Sequence, residues 1–316
     1  MAQITGQATT WDLPNYAGEL FTADLINTPL LSAMGGLNGG MQTQNFTFPV
    51  TSEYDFPAAA QPAVTETDAS TAPDGTEAVR EQVENVTQIF HQAVDLTYEK
   101  LSNGARLTGI NTAGSSNAVD DELAWQIDYN LRIIARNIEY TIINGVYNKA
   151  GAANEANKTR GILEAADLTG GTSVDATATE LNKEMVQELL RTMHSNGALF
   201  ANPVFIANGL QRQRLSDIYG YAPQDRNVGG INIEQIETNF GTVGVLPAHR
   251  FIPGTSLALV DLDVVAPVFQ PVPQKGNFFY EELSKTGAAE KGQIYGKFGL
   301  DHGPAFAHGK IINLAE

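Results

Sequence analysis

Residues 120–149 read DDELAWQIDYNLRIIARNIEYTIINGVYNK, and this stretch decides the architecture. Leu123, Ile127, Leu131, Ile134, Ile138 and Ile142 recur at spacings of four or three, the period of one helix face. Asp120, Asp121 and Glu122 stand where acids complement the positive end of a helix. Lys149 stands near the negative end, with Gly151 beyond it as a stop. A helix over about 120–148 spans on the order of 40 Å at 1.5 Å per residue. Such a length reads either as a large domain's central helix or as a spine on which a flat subunit is built.

Upstream of this helix the chain changes character. Residues 1 to about 40 carry little periodicity and end in Gly35-Gly36-Leu37-Asn38-Gly39-Gly40, which reads as an arm closed by a flexible joint. From Gln42 to Val50 an alternating strand puts Phe46, Phe48 and Val50 on one side, and Val83 to Tyr98 reads as the returning strand. Between them, residues 51–82 hold Pro57, Pro62 and Pro73 and the acids Glu53, Asp55, Glu66, Asp68, Asp74, Glu77 and Glu81 against Arg80 alone. This composition cannot bury a core of its own. A two-stranded ribbon with such a tip is marginal alone in water, so it is expected to lie on another subunit.

Downstream, Thr179 reads as the cap of a second amphipathic helix with Leu181, Met185, Leu189 and Met193 as its stripe and Asn196-Gly197 as terminator. Short apolar runs at Val204–Ala207, Ile231–Ile236, Phe240–Leu246 and Leu257–Leu262, with a polar helix near Leu210–Ile218, predict a mixed α/β lobe. After the Pro-rich connector Pro267–Pro273, strands at Gln293–Leu300 and Ala305–Asn313 are too short to stand alone and must rejoin earlier structure. The class is therefore α+β, with one lobe inserted into the other.

Composition narrows the function. The 316 residues contain no cysteine, which removes disulfides, thiolate metal sites and cysteine nucleophiles together. The opening MAQITGQATTWDLPNY lacks the basic and apolar parts of a signal peptide, and no stretch approaches the roughly 18 apolar residues of a membrane span. A protein that neither is exported nor meets a membrane is expected. The formal charge of −17 repels phosphate backbones, so sequence-specific nucleic-acid binding is disfavoured. No phosphate-binding loop, dinucleotide fingerprint, nucleophile elbow or zinc-protease helix motif occurs. His91, His194, His249, His302 and His308 are scattered, and the last two, around Gly303-Pro304, fit no standard ligand spacing. Asp261 and Asp263 read as solvated acids at a strand end, and Glu281-Glu282 beside Lys285 as a surface cluster. No catalytic residue, metal or cofactor is expected.

Four strings near the C-terminus carry a resemblance: Phe240-Gly241-Thr242-Val243, Arg250-Phe251-Ile252-Pro253-Gly254, Glu281-Glu282-Leu283-Ser284-Lys285-Thr286-Gly287 and Lys291-Gly292-Gln293-Ile294-Tyr295-Gly296. With them the chain resembles the major capsid proteins of tailed phages with the Hong Kong 97 type fold, in particular the subfamily typified by the phage SU-ten shell protein. The likeness runs in order through arm, acidic ribbon, spine helix and Arg160-Gly161-Ile162-Leu163 to the inserted lobe and returning strands. It departs at Leu300-Asp301-His302-Gly303-Pro304, a sharper break than relatives show.

The resemblance implies an N-terminal arm at 1–40, an extended loop at 41–100, a peripheral domain at 101–178, an axial domain at 179–270 and a return to the peripheral domain at 271–316. It implies a non-enzymatic virion protein, assembled in the cytoplasm of a bacterial host into hexamers and pentamers of an icosahedral shell enclosing DNA. A separate scaffolding protein and a portal are implied partners, with decoration proteins as further ones. Some relatives cross-link a loop lysine to a neighbour's asparagine, but residues 41–99 contain no lysine, so no such link is expected. The ribbon's Phe46, Phe48, Tyr54 and Phe56, and the axial lobe's Arg212, Arg214, Tyr219, Tyr221 and Arg226, are the candidate contacts between subunits. Gly39, Gly40, Asn103 and Gly104 are the candidate hinges. The same fold also serves bacterial nanocompartments of the encapsulin type. A decoration protein or an enzyme of unfamiliar type is a more distant alternative.

Overall fold

The computed structural model describes residues 27–37, 39–54, 59–72, 75, 77–102, 122–219, 222–228, 231–247, 249–285 and 287–316. The chain begins with a short helix α1 (Pro29–Ala33), strand β1 (Met41–Gln42) and a ribbon of β2 (Thr47–Tyr54) and β3 (Arg80–Val86), with the one-turn helix α2 (Glu66–Ala69) between them. Next come β4 (Gln88–Thr97), α3 (Tyr98–Ser102), the spine helix α4 (Glu122–Asn144), α5 (Ile162–Ala165) and β5 (Thr172–Asp175). The second half holds α6 (Lys183–Ser195), β6 (Pro203–Ala207), α7 (Gly209–Tyr219), β7 (Ala222–Val228), β8 (Ile231–Thr238) and β9 (Gly241–Val245). Then β10 (Leu257–Asp261), β11 (Ala266–Phe269), β12 (Phe278–Glu282), β13 (Ala289–Asp301) and β14 (His308–Ile312) complete the chain.

The described spine helix covers about 35 Å at 1.5 Å per residue. It ends at Asn144, short of the expected Asn148, because the chain must turn there. Gly145 sits so close to the carbonyls of Thr141 and Thr159 that a side chain would collide with both. Ile134, Ile138 and Ile142 are fully buried, as the period of the apolar stripe requires. Each contributes about 1.5–3 kcal/mol relative to an exposed position. They pack with Phe90, Phe269, Ile294, Phe298 and Leu300 in one core. Ring pairs Phe90–Phe298 and Phe269–Phe298 meet edge to face at 6.2 and 5.7 Å.

Those aromatics belong to a five-stranded sheet with the long strand β13 at its centre. β4 runs antiparallel along one side of β13, from Thr97 opposite Ala289 to Gln88 opposite Phe298. β12 and β11 follow one another along β13, both antiparallel to it, and β1 adds in parallel beyond β11. The glycines of β13 answer aromatic rings. A Cβ on Gly296 would meet the Phe278 ring at 2.2 Å, and one on Gly299 would meet Phe48 at 2.7 Å.

The second sheet has seven strands in the order β5-β14-β10-β6-β9-β8-β7. β6 and β10 are buried at every residue, as strands covered on both faces must be. Alternation splits them: Val204, Ile206, Ala258 and Val260 join the spine-helix core, while Phe205, Leu257 and Leu259 join a second core under α6. The helix α6 starts from Asn182, whose Oδ1 accepts from Met185 N at 2.9 Å, not from the expected Thr179. Its Val186, Leu189, Leu190 and Met193 cover the sheet, and Gly197 closes it at φ +103°.

The lobes are more interleaved than boundaries at 178 and 270 imply. β5 and β14, placed by sequence in the peripheral domain, complete the seven-stranded sheet, and β11, placed in the axial domain, pairs with β13. A five-residue strand such as β14 satisfies its backbone between two partners, here β10 and β5.

Candidate assembly surfaces

The ribbon divides into a pinned base and a tip that is exposed among the described residues. At the base Asn85 is fully buried. Its Nδ2 donates to Leu300 O at 2.7 Å and to Arg160 O at 3.3 Å, and its Oδ1 accepts from Arg160 N at 2.9 Å. The Arg160 guanidinium lies 4.4 Å from the centre of the Tyr147 ring, and Lys149 Nζ pairs with Glu84 at 2.6 Å. The Glu84 hydrogen bond pushes the exposed Lys149 amine above its ordinary range. Just beyond, the register of β2 on β3 slips between Pro49 and Thr51, a bulge that bends the ribbon.

Past that bulge the described residues of 59–72 are all exposed. They are locally organised: Thr65 and Asp68 cap each other across α2, and the Thr65 hydroxyl and amide hold the Asp68 carboxyl below the usual range. Tyr54, Val64 and Val79 are 64%, 67% and 76% exposed, and a two-stranded ribbon is only marginally stable alone in water.

The expected contacts separate on this geometry. Phe46 and Tyr54 are exposed beside and on the ribbon. Phe48 is buried against Gly299 of its own chain, so it holds the ribbon's base and has no surface left for a neighbour. Arg214 donates to Ala315 O at 2.6 Å and pairs with Glu180 at 3.3 Å, a tie within the subunit. Tyr219 lies half-buried at a cavity of about 310 Å³ lined by Lys183, Gln187, Ile218 and Phe240, and Arg212 is partly buried on the same helix. Arg226 lies on β7, and its side chain, like Phe56, Tyr221, Asn103 and Gly104, falls outside the described residues.

The Gly39-Gly40 joint is a close contact: a Cβ on Gly40 would meet Pro267 O at 2.2 Å, and β1 follows at once, paired with β11. Gly40 lets the backbone approach Pro267, and Gly39 lets it approach Gly35 O, which a Cβ would meet at 2.8 Å. The sequence reading also passed over an outward stripe on α4. Trp125 and Tyr129 stack at 5.5 Å and 12°, with Tyr140 exposed three turns on, and the spacing of four from 125 to 129 was the available signal.

The remaining candidate chemistry is structural. Asp261 accepts from the backbone N–H groups of Ala201, Asn202 and Asp263, which explains its burial. His302 follows the end of β13 and His308 opens β14. His302 Nδ1 donates to Gly303 O at 2.8 Å, and His308 Nε2 donates to His302 O. Burial first, then His308 and Arg160 nearby, pushes the His302 imidazole down to about 4. Among the described residues no group of three or more His, Cys, Asp or Glu is placed to hold a metal ion, and no helix is long and apolar enough to cross a membrane.

The profile of the family described as SU10 major capsid protein matches residues 3–315. The chain belongs to that family. As a major capsid protein it is a shell-forming virion component. None of the curated proteins compared with it matches. Among solved structures, one from Mycobacterium phage Patience is 13% identical with a TM-score of 0.60, covering 99% of this chain and 94% of that one. The cyanophage A-1(L) capsid gives 12% and 0.61, covering 94% and 95%. The SrpI encapsulin of Synechococcus elongatus gives 14% and 0.57, covering 95% and 93%. At such identities the likeness speaks for the fold, which is the Hong Kong 97 type.

Proposed function

We propose that this capsid protein closes into hexamers and pentamers that build an icosahedral shell round phage DNA. The observation that carries the reading is the ribbon: its base is pinned by Asn85 and Phe48, and beyond the bulge the apolar Tyr54, Val64 and Val79 stand exposed among the described residues. Head-to-tail contacts of this kind close into rings when the rotation per subunit is right. Phe46 and Tyr54 give up apolar surface to a neighbour at about 25 cal/mol per Å². Tyr219, Arg212 and, from the same lobe, Tyr221 and Arg226 meet their copies near the ring centre, where aromatic and guanidinium groups are enriched. The charge of −17 suits a wall that encloses DNA without gripping it. In this reading the protein is no enzyme, assembles in the bacterial cytoplasm, and works with a separate scaffolding protein, a portal and decoration proteins.

The test is native mass and negative-stain imaging of the chain purified alone and after co-expression with its neighbouring genes. Shells, or rings of five and six, are expected. A strict monomer in both cases, at every salt and protein concentration, would refute the reading. Shells filled with a cargo enzyme in place of DNA would instead favour a nanocompartment of the encapsulin type, the type named for the SrpI structure.

A further inference from the structure

Three segments far apart in sequence meet at one carboxylate. Glu139 is on the inward face of α4 and is fully buried. Its two oxygens accept from the backbone N–H of Leu30 at 2.8 Å and of Leu31 at 2.7 Å, at the start of α1. His249 Nε2 is 2.7 Å from Glu139 Oε1, and His249 Nδ1 accepts from Phe251 N at 3.2 Å. With Nδ1 accepting, the proton sits on Nε2, and the ring donates to Glu139. His249 is in turn fastened to the seven-stranded sheet, its own N–H donating to Ala207 O at 2.8 Å. All three partners are donors, the set that an ionised carboxylate, which only accepts, requires.

Replacing a buried polar pair whole by well-packed apolar groups often costs nothing, but Glu139 answers two backbone N–H groups and His249, which an apolar side chain would leave unpaired. What the carboxylate adds is direction. Hydrogen bonds specify angles that methyl packing leaves loose, and a buried polar group that fixes register is the best-attested use of such a site. Here the groups fixed are the spine helix, the N-terminal segment and the axial sheet.

We propose that Glu139 is a positioning residue for assembly: a buried anchor that sets the angle between spine helix, axial sheet and N-terminal segment, and thereby the fit between neighbouring subunits. The inference rests on the ring-building reading above. The outer strand β7 stands three strands from β6, about 14 Å at roughly 4.8 Å per strand. A rotation of about 10° at the anchor shifts that strand by about 2–3 Å, more than a close-packed contact tolerates.

The test compares the full chain as wild type, His249→Leu and His249→Gln, by particle diameter in electron micrographs and by the unfolding midpoint of the unassembled subunit. His249→Leu is expected to give shells of mixed diameter, or closed shells reduced by about tenfold or more. His249→Gln, whose amide can donate to Glu139, is expected to restore closed shells of uniform size. Wild-type diameter and yield from His249→Leu, with only the midpoint lowered, would overturn the proposal. Equal failure of both variants would overturn it too, because ring packing and not the donated bond would then matter. Should the leucine variant not fold, hydrogen exchange on the wild type decides: the Leu30 and Leu31 amides are expected to exchange as slowly as the core of α4, and free exchange sinks the anchor. A wild type that never forms shells fails the ring-building reading, while the exchange measurement still judges Glu139.

Discussion

His302 shows how one side chain ties pH to folding. In the unfolded chain its imidazole titrates near 6.5, and in the folded subunit burial lowers it to about 4. Between those values the unfolded chain takes up a proton that the folded one refuses, so stability present above about pH 6.5 is lost as pH falls toward 4. The loss amounts to about 3 kcal/mol at the lower end. His308, held down first by its own burial, adds in the same direction. Urea unfolding of the unassembled subunit at pH 7.5, 5.5 and 4.5 should therefore fall more steeply for wild type than for His302→Asn. Identical slopes would show that His302 does not carry this linkage. At Asn85 the argument is neutral in pH but similar in size. Asn85→Ala strands the buried Leu300 carbonyl and Arg160 N–H, and a loss on the order of 3 kcal/mol is expected in the same assay.

The ribbon separates stability from assembly at the scale of an element. Phe48→Ala empties a buried site, so the free subunit is expected to lose about 3–5 kcal/mol. Phe46→Ala and Tyr54→Ala remove exposed rings and should leave subunit stability within about 1 kcal/mol, while weakening each contact between subunits by about 1–2 kcal/mol. Calorimetry of free subunits and the protein concentration at which shells appear read the two effects apart. A ribbon variant that assembles like wild type would place these rings outside the interface. Much of this element was legible beforehand: alternation marked β2, and the acidic, proline-broken stretch marked a tip that cannot bury itself. The side to which Phe48 turns was not, because Phe46, Phe48 and Val50 share one alternation and only the opposing Gly299, far off in sequence, decides which of them is enclosed. The apolar period of α4 likewise gave its buried stripe. It could not give Glu139, whose donors come from residues more than a hundred positions away on either side. The glycines at 39 and 40 show the same ambiguity: glycine serves freedom and close approach alike, and at Gly40 the approach is to Pro267.

At the scale of the whole molecule, charge opposes assembly. Two bodies of −17 with centres about 40 Å apart repel by on the order of 30 kcal/mol in unscreened water, more than an ordinary interface returns. A Debye length of about 8 Å at physiological salt removes most of that, whereas apolar burial by the ribbon is left intact. The exposed acids Glu66, Asp68, Glu77 and Glu81 add to the repulsion unless a neighbour's cations meet them. Net repulsion and local attraction therefore predict opposite responses to salt, and their sizes favour the first. Raising salt from about 20 to about 300 mM is expected to lower the subunit concentration needed for shell formation several-fold, followed by light scattering at fixed pH. A concentration that rises with salt would mean that acidic ribbon tips are held by complementary charges strongly enough to outweigh the repulsion of the whole subunit, and the interface would then have to be argued from ion pairs before apolar area.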